Sequence, residues 1–123
     1  MNKYTFPKQE RLCNRNDFQK LFSEGESAYV YPFKCVYLWK DDVSFSARIA
    51  VSVSKKKFKH AVDRNKIKRL IKENYRLEKE ILYQKYADTP QSLDMLIIYI
   101  ETKIFSFYFL KKKIIKLMNE IKK

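Results

Sequence analysis

Residues 52–76 read SVSKKKFKHAVDRNKIKRLIKENYR, and the fold turns on how this stretch divides. Its first half is the end of a strand that runs out in three consecutive lysines, Lys55, Lys56 and Lys57. Its second half is helical. Asp63 is placed to open the helix, and Ile67, Leu70, Ile71, Asn74, Leu77 or Glu78, and Ile81 trace a mostly apolar stripe to roughly Leu82. Arg64, Lys68, Lys72 and Arg76, spaced by four, form a basic ridge beside that stripe. A DNA-reading helix-turn-helix needs a second short helix just upstream, and the residues there read as strand. A strand feeding straight into a helix points instead to helices layered on a sheet.

Downstream, Pro90 breaks the chain, and residues 93–100 are nearly all apolar, as expected of a strand buried on both faces. Phe107, Leu110, Ile114, Leu117 and Ile121 then space as a last amphipathic helix, with Lys111, Lys112, Lys113 and Lys116 turned outward. Upstream, Asn16 or Asp17 can cap a short helix carrying Phe18, Leu21 and Phe22, which Gly25 ends. Residues 31–39 alternate, placing Phe33, Cys35 and Tyr37 on one face and Lys34, Val36 and Leu38 on the other. Asp41 and Asp42 make a turn into a second strand, residues 45–53, and the two strands read as an antiparallel hairpin. The pattern is an α+β domain with helices packed on a small sheet. With one glycine, three prolines, no repeat and no shift of composition, residues 1–123 are expected to form a single domain.

The chain carries 27 Lys+Arg against 14 Asp+Glu, a formal net charge of +13, yet is 46% hydrophobic and 15% aromatic. A disordered basic tail would lack those apolar residues. Residues 55–76 hold 10 basic and 2 acidic groups and residues 102–123 hold 7 and 1, so two segments account for the whole excess. Cations packed that densely repel one another and call for a polyanionic partner, with nucleic acid ahead of an anionic membrane surface. Arg binds phosphate bidentately, Lys acts as a point charge, and Asn65 can donate to a 2′-hydroxyl or a base edge. Tyr29, Tyr31, Phe33, Tyr37 and Trp39 are more rings than a small core needs, and exposed ones could stack unpaired bases.

No catalytic constellation is visible. His60 sits in a lysine cluster without an orienting partner, Asp41 and Asp42 read as turn formers, and one glycine cannot make a phosphate-cradling loop. One histidine with Cys13 and Cys35 makes neither a zinc site nor a disulfide framework, and the two thiols fit a reducing compartment. The N-terminal residues show no export signal, and the apolar run at 95–100 is too short to span a bilayer.

Arg11 and Leu12 followed by NDFQKLF (16–22) and Gly25, then RIAVSVSKK (48–56), then AVDRNKIKRLIKENYR (61–76), resemble the bacterial ribonuclease P protein subunit. The resemblance covers nearly the whole chain. It implies a two-layer α/β sandwich of the ribosomal S5 second-domain type, in the order αβββαβα, with a left-handed βαβ crossover. It also implies a cytoplasmic ribonucleoprotein that removes the 5′ leader of precursor tRNA. There the RNA subunit performs the hydrolysis with Mg²⁺ held mainly by RNA and substrate, and the protein has no catalytic residue and no metal site of its own. Arg64, Asn65, Lys66, Lys68 and Arg69, with Lys72, Arg76, Lys55 and Lys56, would face the catalytic RNA. Phe18 and Phe22 would line a cleft for the single-stranded leader, with Val36 and Ser52 on its floor. Lys66 stands where the family has an arginine, which keeps the charge and loses the fork. Phe58, Lys59 and His60 stand where the family usually has a glycine, so the turn entering the helix differs.

Other readings share the basic composition: a ribosome-associated RNA-binding module, or a membrane-surface protein using residues 102–123 as a basic amphipathic helix. The apolar side of that last helix, however, is needed for the core. An autonomous nuclease would need a carboxylate cluster that the sequence does not offer. The expected partners are the catalytic RNA and precursor tRNA, with neither DNA nor membrane.

Overall fold

The computed structural model describes residues 11, 12 and 14–122. The readings of the N-terminal residues 1–10 and of Cys13 lie outside the described residues. The elements are α1 (Arg15–Glu24), β1 (Glu26–Val30), β2 (Phe33–Asp41), β3 (Ser46–Val53), α2 (Ala61–Glu78), α3 (Glu80–Lys85), β4 (Gln91–Tyr99) and α4 (Phe107–Glu120). The α+β class and the order of elements agree with expectation, apart from the extra short helix α3.

The strands form one sheet in the order β1-β2-β4-β3. The expected hairpin between residues 31–39 and 45–53 does not form. β2 pairs antiparallel with β1 and β4, and β3 pairs parallel with β4. The reason lies in β4. Leu93, Met95 and Ile97 are buried on one of its faces and Leu96 on the other, so it gains most by taking an inner slot with a neighbour on each edge. Asp42 still makes its turn, accepting the Val43 N–H at 2.7 Å. The turn passes the end of β4, where the Asp42 N–H donates to the Pro90 carbonyl.

One face of the sheet carries Phe33, Cys35, Ile49, Met95, Ile97 and Tyr99 against α2, α3 and α4, as the alternation in residues 31–39 predicts for its part. Ile67, Ile71 and Tyr75 fill the α2 side, and Leu110, Ile114 and Leu117 fill the α4 side. Asn74, fully buried, ties these two helices by donating to the carbonyls of Leu70 (3.0 Å) and Phe107 (3.3 Å). The apolar side of α4 is therefore committed to the core. No helix among the described residues is long and apolar enough to cross a membrane.

Three boundaries differ from the sequence reading. The first helix is capped by Asn14, whose side chain accepts from the Asn16 N–H at 2.8 Å, and neither Asn16 nor Asp17 serves as the cap. The basic helix begins at Ala61, two residues before Asp63, with His60 in the cap position making no side-chain capping bond. That helix stops at Glu78, and Leu82 lies on α3. After this break, Tyr83 and Tyr86 meet Phe45 at ring separations of 5.1 and 5.7 Å, and Tyr86 meets Trp39 at 4.8 Å. Burial of this aromatic cluster is the gain that redirects the chain. It also accounts for Trp39 among the surplus rings. Phe33 and Tyr37 are core and Trp39 packs under α3, whereas Tyr29 and Tyr31 are exposed.

Candidate nucleic-acid interface

The outer side of α2 presents a shallow groove lined by Asn65, Lys68, Arg69, Lys72, Glu73 and Arg76. These positions recur every three or four residues opposite the buried Ile67, Ile71 and Tyr75, so the helix period itself sorts cations outward. From Asn65 to Arg76 the stripe is about 16 Å long at 1.5 Å rise per residue. Its axis is shifted from the expected ridge: Arg64 falls to one side and Lys66 to the other.

Not all of its cations are equally available. Glu73 takes the Arg76 guanidinium through both carboxylate oxygens, which holds the Glu73 carboxyl below its ordinary value and raises Arg76. Arg64 donates through Nη1 to the carbonyls of Phe58 (2.7 Å) and Lys59 (3.0 Å). It therefore holds together the turn that enters the helix, in addition to any contact outside the chain. Phe58 is buried beside Tyr99 and anchors that turn. Lys55 and Lys56 are exposed in it, whereas Lys57 reaches back to the Ile100 carbonyl.

On the opposite face of the sheet, α1 lies over β2. Leu21 is fully buried there with Leu12, Val36 and Leu96, and Phe18, Leu38, Ala50 and Ile98 pack around them. Phe22, one turn from Phe18, is 61% exposed. Ser52 is exposed on the edge strand β3. Val36 is only 8% exposed, because Gly25 at the end of α1 presses against it, so it shapes the floor and offers little contact surface.

Beneath α1 lies a charge network that sequence reasoning missed. Asp94, with no exposed surface, accepts from Arg48 Nε at 2.9 Å and Nη2 at 2.8 Å, and pairs with Lys40 at 2.7 Å. Asp17 of α1 pairs with the same two cations, at 3.0 Å from Lys40 and 3.2 Å from Arg48. The Lys40 hydrogen bond, aided by Arg48, outweighs desolvation and holds the Asp17 carboxyl below its usual value. Desolvation opposes the charge on Lys40, but the two aspartates still raise its pKa. The signal was legible. Asp94 is the one charge in LDMLIIYI, and a charge inside a doubly buried strand requires partners.

Among the described residues no group of three His, Cys, Asp or Glu side chains could hold a metal ion. Asp17 and Asp94 are already shared by Lys40 and Arg48, so this donor set does not fit a resident divalent cation.

Fold and surface together define a small α+β protein that presents a cationic helix on one side and an apolar, partly open cleft on the other. The family model Ribonuclease P matches residues 6–122. Among curated relatives, the ribonuclease P protein component of Dictyoglomus turgidum is 38% identical over 98% of this chain and 95% of its own length. That of Porphyromonas gingivalis is 43% identical over 76 residues, 61% of this chain and only 56% of the relative's length. Among solved structures, the RNase P protein from Thermotoga maritima superposes with a TM-score of 0.73 at 27% identity, covering 93% of this chain and 99% of that one. The Staphylococcus aureus RNase P protein gives 0.68 at 25% identity, with 89% and 93% covered. The chain belongs to the ribonuclease P protein family.

Proposed function

We propose that this chain is the protein component of a ribonuclease P ribonucleoprotein and assists removal of the 5′ leader from precursor tRNA in the cytoplasm. The observation that carries this reading is the family match across residues 6–122, together with an outward cationic stripe on α2. In this reading the stripe and the Lys55 and Lys56 turn bind the catalytic RNA. Asn65, Lys68, Arg69 and Lys72 do most of the work, because Arg64 and Arg76 also carry intramolecular contacts. Lys66 adds a single point-charge contact beside them. The cleft between α1 and the sheet receives the leader, with Phe18 and Phe22 along its wall and Val36 and Ser52 below. The hydrolysis, and the Mg²⁺ that supports it, belong to the RNA; the chain binds and orients.

The test is leader cleavage by cognate catalytic RNA at low Mg²⁺, with and without the protein. Stimulation that depends on the protein is expected, and its absence would refute the reading. Arg69→Ala is expected to weaken RNA binding and to lower the slope of log affinity against log salt by about 0.9 for a lost duplex phosphate contact. An unchanged slope would place the stripe in solvent.

A further inference from the structure

The last helix runs parallel to the basic helix and takes up the line where the α2 stripe stops. Asn74 of α2 donates to the Phe107 carbonyl, and Glu78, one turn further along α2, pairs with Lys111, one turn further along α4. Both ties have the same offset of 33 residues, so Tyr108, Lys112 and Lys116 stand level with positions 75, 79 and 83. The alignment continues on α3, where the Tyr86 hydroxyl donates to the Ile121 carbonyl at 2.6 Å. The α2 stripe covers about 15 Å from Asn65 to the level of Tyr108, and α4 adds about 12 Å from Tyr108 to Lys116. Packed helix axes lie about 8–10 Å apart, so the two lines adjoin on one side of the molecule.

On α4, as on α2, the flanking cations are used within the chain and the outward ones are not. Lys111 pairs with Glu78 at 3.6 Å, Lys113 sits 5.3 Å over the Phe109 ring, and Lys103 sits 5.2 Å over Phe105. Phe105 and Phe109 stack on each other at 4.3 Å, with Tyr31 edge-on to Phe105, so that flank of α4 is filled. Lys112 and Lys116 are exposed and have no partner among the described residues, and Tyr108, one turn before Lys112, is 73% exposed. These three recur every four residues opposite the buried Leu110, Ile114 and Leu117, which makes them one line. The acids nearest the join, Glu73 and Glu78, are held by Arg76 and Lys111, and Glu120 marks the end of the line one turn beyond Lys116.

We propose that Tyr108, Lys112 and Lys116 form a second contact line for the catalytic RNA, which passes from the α2 stripe onto α4. Lys112 and Lys116 meet backbone phosphates, and Tyr108 stacks an unpaired base where the two helices join. Unpaired cations call for a polyanion, and an exposed ring beside them suits one that carries bases. A membrane surface fits less well, because the apolar side that would enter the bilayer is already buried in the core. Two adjoining lines also fix the direction of the RNA across the protein, where a single stripe fixes only its position. The inference rests on the proposed function. It extends the RNA-facing surface beyond α2 and the Lys55 and Lys56 turn, on the face of the sheet opposite α1.

The experiment measures binding of the full chain to its cognate catalytic RNA over a range of salt concentrations. Lys112→Ala with Lys116→Ala should lower the slope of log affinity against log salt by about 1.8, the value for two duplex phosphates. Lys112→Arg with Lys116→Arg should keep the wild-type slope, because the charge remains. Tyr108→Ala should weaken binding about tenfold and Tyr108→Phe should restore it, because stacking needs the ring and not the hydroxyl. An unchanged slope in the double alanine variant would overturn the line, as would an equal loss in the double arginine variant. If the wild type neither binds nor assists the catalytic RNA, the proposed function fails by itself. Binding of the full chain to a labelled RNA hairpin with a single-stranded overhang then decides the line separately. Weaker binding by the double alanine variant supports it, and binding equal to wild type refutes it. Equal RNA binding together with weaker binding to phosphatidylglycerol vesicles would refute it in favour of a membrane surface.

Discussion

Asp94→Asn is the most informative perturbation of the scaffold, because it removes a charge without changing shape. The carboxylate has no exposed surface and meets Arg48 at 2.8 and 2.9 Å and Lys40 at 2.7 Å. With asparagine there, two cations share the single carboxylate of Asp17. Breaking a buried ion pair by removing one partner costs about 3–5 kcal/mol. Here the cationic side chains keep 21% and 33% of their surface in solvent, so part of that cost is recovered and about 2–3 kcal/mol is expected. For a domain of this size that corresponds to a fall in Tm of about 6–15 °C. Urea unfolding at pH 7 can be followed by far-UV circular dichroism and by Trp39, the only tryptophan. Adding Lys40→Met removes the surplus cation, so the double variant should be at least ~1 kcal/mol better than the sum of the singles. A single variant within ~0.5 kcal/mol of wild type, or strict additivity, would refute the account of the network.

The outer member supplies the pH dependence. Its neighbours depress the Asp17 carboxyl, so its stabilisation is complete above its unfolded value of about 3.9 and is lost as pH falls through the lower folded value. The gap in urea midpoint between wild type and Asp17→Asn should therefore be constant from pH 7 to 5 and narrow as pH falls below about 3.8.

Three further outcomes follow from the packing. Gly25→Ala should destabilise by about 1–3 kcal/mol by denaturant titration, because a Cβ there meets the Leu21 carbonyl and comes within 3.0 Å of the Tyr37 carbonyl and Val36 Cγ1. Arg64→Ala should lower stability by about 1–2 kcal/mol through loss of its bonds to the Phe58 and Lys59 carbonyls, whereas Arg69→Ala, exposed on the stripe, should leave the melting temperature within a degree or two. Differential scanning fluorimetry of the two separates the scaffold role from the interface role. Burial pushes the Cys35 thiol up to about 12, so in a Cys13→Ser background Ellman's reagent at pH 8 should react only at the rate of global unfolding.

The periodicities legible along the chain reappear as faces in space. The 3.6-residue spacing of Ile67, Ile71 and Tyr75 and of Leu110, Ile114 and Leu117 is enough to place both helices on a core with their lysines outward. The alternation through Phe33, Cys35 and Tyr37 sets the faces of β2. The order of residues in 61–76, with 11–25 and 48–56, carried the resemblance to the family, and its cations recur where a helix presents them together.

Strand pairing was not legible, because alternation orders side chains within a strand and says nothing about its neighbours. The short turn at Asp41 and Asp42 suggested a hairpin, but only the demand of β4 for burial on both faces and both edges separates β2 from β3. The second half of the basic helix bends into α3 because Tyr83 and Tyr86 find Phe45 and Trp39, which lie some forty residues away in sequence. Which cations remain available also depends on contacts no spacing reveals, such as Arg64 on two carbonyls and Arg76 on Glu73. By itself, then, the sequence of this protein determined most of its elements, their buried faces and the cationic helix, since those depend on neighbours within one or two turns; β1 and α3 were not among them. The tertiary structure alone decided the order of the strands, the break into α3 and the ion network under α1. Each of these depends on contacts between residues that lie far apart in the chain.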